Sequence, residues 1–204
     1  MSTQAANKDA RTRLLEVGAA QFAEKGYKGA SVRNICELAG TGNNMIHHYF
    51  GSKRGLYEAI ITQFSAEVFS VPIRIMKKMP ESRAEFVSRF ELFVEETLEA
   101  LINNRFLFAI LQSEEVVPEQ SPFVSYYESF IAFVNHGKKN GLVNEAIDPA
   151  MLTGLVMDRL GIQVQYANRI KQTTGDDIIS DPQYKARWLR ANLDMFLYGF
   201  LPSN

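Results

Sequence analysis

The stretch Thr12–Leu56 reads TRLLEVGAAQFAEKGYKGASVRNICELAGTGNNMIHHYFGSKRGL, and its punctuation decides the fold. Leu14, Leu15, Gly18, Ala19 and Phe22 recur at intervals of three and four, the spacing that lines one face of a helix. This predicts a helix over about 9–25, ended by Gly26. Ser31 is a good N-cap and opens a second helix over about 31–38, with Val32, Ile35, Cys36 and Ala39 on one face. Gly40-Thr41-Gly42 is a short break. A third, very short helix fits Asn43–Tyr49, and Ser52 caps a longer one carrying Leu56, Ala59, Ile60, Phe64 and Val68. Short helices in this order, the second and third joined by a tight glycine turn, make the helix-turn-helix pattern.

The wheel of the third helix sharpens the reading. At about 100° per residue, Asn43, Asn44, His47 and His48 fall within one arc of about 140°. Met45, Ile46, Tyr49 and Phe50 occupy the rest. So short a helix is unstable alone and must be clamped by packing, with Ile46 and Phe50 as anchors. An asparagine amide pairs bidentately with the adenine edge in the major groove, and a histidine nitrogen meets base or phosphate acceptors. Ser31 and Arg33 at the start of the second helix, and Lys53 just after the third, are candidates for phosphate contacts, which fix register while base contacts specify sequence. The bland alternative, left open by these residues alone, is a solvated polar helix.

The same stretch resembles the DNA-binding domain of the tetracycline-repressor (TetR) family of bacterial regulators. The resemblance is carried by Phe-Ala-Glu-Lys-Gly-Tyr at 22–27, the Ser31 helix start, Ala39-Gly40, and Tyr49-Phe50-Gly51-Ser52-Lys53 leading into Leu56. It implies that Arg33 sits where some members reach a base, and that Asn43, Asn44 and His47 face the groove from the recognition helix. It further implies that Lys53 is the phosphate-binding lysine opening the fourth helix, and that Ile46 and Phe50 are core anchors. Two departures stand out. The family usually carries Tyr at the position of His47 and His at that of Tyr49, so the aromatic hydroxyl is shifted by two places. Tyr49 is kept as a phosphate-contact candidate beside His48, although the wheel turns it toward the core. Gly42 replaces a frequent Ser cap, so the recognition helix is expected to lack a side-chain cap.

Outward from this segment, the 204-residue chain is 46% hydrophobic and 22% charged, a balance that excludes wholesale disorder. Net charge is −1, yet residues 1–58 hold eight Lys/Arg against five acids, a basic head on an acidic remainder that suits a polyanion partner. The longest uninterrupted apolar run, Phe106–Leu111, is far below the roughly 18–20 residues of a membrane span. The first ten residues are polar, so no secretory signal is expected, and the expected setting is the cytoplasm with no membrane partner. The lone Cys36 excludes an internal disulfide and a cysteine zinc cluster. His47 and His48 diverge by about 100° on a helix and do not readily share a metal, so no metal and no cofactor are expected. The Glu91, Glu95, Glu99 ladder reads as a solvated face. GxSxG, HExxH, GxGxxG and phosphate-loop signatures are absent from the sequence, so nothing speaks for an enzyme.

Beyond residue 80 the periodicity remains helical throughout, giving an all-α expectation: a head over 1–55 and a bundle over 56–204. Asp148-Pro149 and Asp181-Pro182 each place a cap before a proline at the first helical position, opening long helices over about 149–172 and 182–201. Phe90, Phe93, Phe108, Tyr126, Tyr127 and Phe130 are candidates to line a cavity, with ordinary core as the alternative for each. The family resemblance implies an effector pocket among these helices, and an aromatic lining suits a hydrophobic or aromatic small molecule. Gln112, Asp158 and Gln163 are polar candidates to enter it. The resemblance also implies that the two terminal helices pack against a second copy, with Leu155, Leu160, Val164, Leu193, Phe196 and Phe200 at the interface. A twofold homodimer presents recognition helices to successive major grooves about 34–36 Å apart, and so calls for a near-palindromic double-stranded operator. The expected function is a ligand-responsive repressor. A DNA-binding regulator controlled by a partner protein, without a small ligand, remains the open alternative.

Overall fold

The computed structural model describes residues 2–105 and 121–200, without side-chain surroundings for residues 2–9, Phe64, Gly199 and Phe200. Among these it is all-α: α1 Ser2–Gly29, α2 Val32–Leu38, α3 Met45–Phe50, α4 Lys53–Lys77, α5 Arg83–Asn103, α6 Pro122–Lys139, α7 Pro149–Gln165, α8 Ala167–Thr174 and α9 Pro182–Phe200. The described residues fall into two compact units. One holds the chain through Glu67; the other holds Val68–Arg105 and the chain from Pro122 on.

The first unit is a small helical head with its own core. Leu14, Leu15, Ala19 and Phe22 of α1 meet Ile35 and Cys36 of α2, Ile46 of α3, and Leu56, Tyr57, Ile60 and Ile61 of α4. The expected stop at Gly26 is present as a break, φ 67°, after which one further helical turn runs to Gly29. Glycine adopts that left-handed conformation at little cost. Gly18 serves close approach, because a Cβ there would lie 2.9 Å from Ile60 Cδ1. Ser31 and Ser52 cap as expected, accepting from the Asn34 amide at 3.5 Å and the Gly55 amide at 3.0 Å. By length and composition α4 is a helix apolar enough to cross a bilayer, although its apolar residues do not form one long uninterrupted run. With 47% of its apolar window buried and Leu56–Ile61 in the head core, it reads as a core helix.

In the second unit the faces of α5 and α6 are aromatic, and both helices pack on α7, while α9 packs on α5. Ser82 and Asp148 cap α5 and α7, with Asp148 Oδ1 accepting from the Met151 amide at 2.9 Å. Asp181 Oδ1 accepts the amides of Gln183 and Tyr184 at 2.9 and 3.1 Å, opening α9 at Pro182. The helix expected over 149–172 is two helices. Tyr166, at φ −97° and ψ 13°, ends α7 and α8 starts anew. Neither glycine nor proline marks that joint. Gly175, at φ 83°, closes α8.

Of the residues expected at a dimer interface, Leu155 is exposed, at 63%. Leu160, Val164, Leu193 and Phe196 are instead buried inside the single chain, because they form the inward faces of α7 and α9. Phe200 lies in α9, its side chain outside the described residues. The exposed apolar face of α7 is Met151, Leu155 and Ile162, continued by Tyr166, and α9 exposes Met195 and Tyr198.

Candidate nucleic-acid interface

The turn between α2 and α3 is fixed from several sides. The Cys36 Sγ donates to the Asn43 carbonyl at 3.7 Å, and the Thr41 hydroxyl to the Cys36 carbonyl at 3.3 Å. Arg13 of α1 donates to the Ala39 carbonyl at the end of α2, 2.8 Å away. Asn34 of α2 donates through its amide to Gln21 of α1, also at 2.8 Å. These bonds place α2 on α1 and aim the turn. Arg13, Asn34 and Gln21 carry no signal in the sequence, because each partner lies 13 or more residues away and no local pattern marks it.

The third helix begins later than expected, at Met45 rather than Asn43. The Met45 amide donates to the Gly42 carbonyl at 3.0 Å, so Asn43 and Asn44 lie in a turn, a conformation asparagine favours. Asn44 is the N-cap residue and makes no side-chain capping bond, in line with the missing Ser cap. Its amide is exposed, as are Asn43, His47 and His48. Behind them Ile46 is buried at 1% exposure, and Met45, Tyr49 and Phe50 pack partly buried against the head core. The amide-and-imidazole ridge therefore faces solvent, and its apolar back is the brace. Tyr49 lies on the core side, ringed edge-on by His48 at 5.0 Å and Phe50 at 6.2 Å.

Around the ridge stand cations. The Lys53 ammonium sits 4.6 Å above the Tyr27 ring and donates to the Lys28 carbonyl at 3.4 Å, which holds it where α4 starts. Arg33 is exposed and donates to Glu37 at 2.9 Å, an open i,i+4 pair that is worth little and is readily exchanged for a phosphate. Arg11, which the sequence reading did not single out, lies 5.3 Å over the Phe50 ring at the end of α3. Gly55 was also passed over. A Cβ there would lie 1.9 Å from the Phe50 carbonyl oxygen, so only glycine lets α4 start this close behind α3.

The pocket candidates form a second group, in the other unit. Phe90, Phe93, Tyr126 and Phe130 are buried together, with ring centroids 4.8 Å apart for Phe93–Phe130 and 5.2 Å for Phe93–Tyr126. Tyr127 is half-buried; burial, then the Asp158 charge, raises its phenol. Gln163 is buried and donates to the Tyr184 hydroxyl at 3.3 Å, while Asp158 is exposed. Phe108 and Gln112 lie outside the described residues.

The family model for bacterial regulatory proteins of the tetR family matches residues 14–60, the head just described. The HTH-type transcriptional repressor KstR2 of Rhodococcus jostii is 27% identical over 164 residues, covering 76% of this chain and 78% of that protein. The solved structure of the ketosteroid transcriptional regulator KstR2 of Mycobacterium tuberculosis superposes with a TM-score of 0.69 at 20% identity, covering 95% of each chain. That of the regulator FadR of Bacillus subtilis, in complex with stearoyl-CoA, gives 0.67 at 14% identity, covering 92% of this chain and 98% of that one. The head, its braced ridge and the family model agree: residues 14–60 carry the domain of bacterial regulatory proteins of the tetR family, and the chain as a whole shares the helical fold of these regulators.

Proposed function

We propose that the chain is a ligand-responsive repressor that binds a near-palindromic operator as a homodimer in the cytoplasm. Residues 1–55 supply the DNA contacts, and residues 56–204 supply dimerisation and effector binding. The observation that carries this reading is the exposed ridge of Asn44, His47 and His48, held on a six-residue helix by the buried Ile46. Asn43, Asn44 and His47 read base edges. Ser31, Arg33, His48, Tyr49 and Lys53 meet the backbone. For the second copy, the support is the exposed face of Met151, Leu155 and Ile162 on α7, a contiguous apolar stripe of the kind that marks interaction sites. For the effector, the support is the cluster of Phe90, Phe93, Tyr126 and Phe130. Two proteins of this fold carry names that point to bulky apolar molecules, a ketosteroid regulator and a stearoyl-CoA complex.

Control then follows from linkage: an effector that prefers the arrangement with the wrong head spacing lowers operator affinity by its differential affinity for the two states. The test is selection of random duplexes on the full chain, followed by release of the selected duplex with apolar metabolites. The expected product is an inverted repeat with half-sites about one helical turn apart. Failure to enrich any duplex overturns the reading.

A further inference from the structure

Within the aromatic cluster two polar atoms lack partners. Tyr126 of α6 is 1% exposed and Thr97 of α5 is 0% exposed, and neither hydroxyl makes a hydrogen bond. The Tyr126 ring lies 4.6 Å from Phe69 and stacks on Phe93 at 5.2 Å. Thr97 is one turn beyond Phe93 on the same helix, and so on the same face. Burial drives the Tyr126 phenol far above the ordinary tyrosine range, and a contact with the Thr97 hydroxyl, outside the geometry of a full hydrogen bond, opposes the shift. The phenol is therefore a neutral donor throughout the working pH range.

Burying a hydroxyl without a partner is costly, and Phe and Val in the same places would fill the same volume without that cost. Two such hydroxyls give the aromatic cluster around Tyr126 a polar spot. We infer that Tyr126 and Thr97 form a two-donor cradle for a single carbonyl oxygen on an otherwise apolar effector. A carbonyl oxygen has two lone pairs and accepts from both hydroxyls at once. The rings touching Tyr126, those of Phe69, Phe93 and Tyr127, are uncharged, so a carboxylate or phosphate would lose its water there without gaining a cation. The inference rests on the ligand-responsive reading and gives it a chemistry. A ketone and a thioester share that chemistry.

The test compares matched probes on the full chain: androst-4-ene-3,17-dione against the oxygen-free 5α-androstane, and stearoyl-CoA against its S-octadecyl thioether, which lacks the carbonyl. Affinity is read by thermal shift and by release of the selected operator, for wild type, Thr97→Val, Tyr126→Phe and the double variant. At least one carbonyl probe is expected to bind wild type about tenfold or more tightly than its mate, with each single variant losing part of that preference and the double variant all of it. The pair that shows the preference identifies the source of the carbonyl. Melting temperatures of the unliganded variants are expected not to fall, and each single variant is read separately, so one that fails to fold does not remove the test. Equal binding of both members of each pair, with operator release intact, overturns the cradle and leaves ligand control standing. A preference that survives the double variant does the same. If no probe binds, the cradle and the proposed ligand class fall together.

Discussion

At the scale of the residue, the third helix shows how a wheel becomes chemistry. Ile46 is buried and His47, its neighbour, is exposed, because consecutive side chains on a helix diverge by about 100°. That partition was legible in six letters, MIHHYF, since only one rotation of the helix buries its apolar members. The helix start was not. Asn43 and Asn44 fit the wheel equally well as a first turn, but without a side-chain cap nothing holds that turn, and it relaxes to the bend seen here. The Asn44 amide is consequently uncommitted. Asn44→Ala is expected to relax preference at one base pair per half-site by about 1–3 kcal/mol while leaving stability unchanged, measured by repeating the duplex selection with the variant. Lys53 plays the other part. Its ammonium is pinned over Tyr27, so Lys53→Ala should weaken binding to all duplexes alike and lower the slope of log affinity against log salt by about one. A salt titration with the same slope as wild type would remove Lys53 from the interface.

At the scale of the element, punctuation was read correctly where it is chemical and missed where it is steric. Ser31, Ser52, Asp148 and Asp181 all cap, because a short oxygen-bearing side chain at a helix start has one good use. Gly55 carries no such signal, for its role is the 1.9 Å that a Cβ would leave to the Phe50 carbonyl. Backbone there must shift, so Gly55→Ala is expected to cost about 1–3 kcal/mol in denaturant unfolding and to reduce operator affinity by displacing α3 from α4. Full affinity with unchanged stability would show that the junction has slack. The break at Tyr166 was invisible for a related reason: α7 and α8 share one periodicity and change direction without glycine or proline. What holds the return to α9 is Asp177, whose carboxylate accepts from Lys171, the Ser180 hydroxyl and the Ile179 amide. Lys171 first, then Ser180 and the Ile179 amide, keep that carboxyl well below its ordinary value of 3.8. The folded state therefore favours the charged form. Its stabilisation is complete above the unfolded value and is lost as pH falls below it. Asp177→Asn should melt lower than wild type at pH 6, with the gap closing progressively as pH drops below about 4. A gap that stays constant with pH would exclude the carboxylate as its source.

At the scale of the whole molecule, composition announced helices and an aromatic core but left open which apolar face meets what. The α7 sequence carries Met151, Leu152, Leu155, Val156, Leu160, Ile162 and Val164, apolar on nearly every side. Periodicity alone assigns such a helix two burial partners without saying which face goes to which. The family resemblance implies a contact with a second copy through Leu160 and Val164; they pack within the chain, and Leu155 alone of the described candidates points out. Two substitutions separate the faces. Leu160→Ala removes a fully buried side chain and should cost about 2–5 kcal/mol in unfolding free energy. Leu155→Glu changes a side chain that is 63% exposed in the single chain, so the fold of each protomer should tolerate it, with far-UV circular dichroism unaltered. Across a twofold axis, however, two such glutamates would be brought into an apolar seam that offers them no cation. The expected result is a halved mass in sedimentation equilibrium. Operator affinity should fall with it, because a monomer engages one half-site and forfeits the second. If Leu155→Glu sediments with the wild-type mass, the exposed face of α7 is not where two copies meet, and the proposed operator geometry loses its foundation.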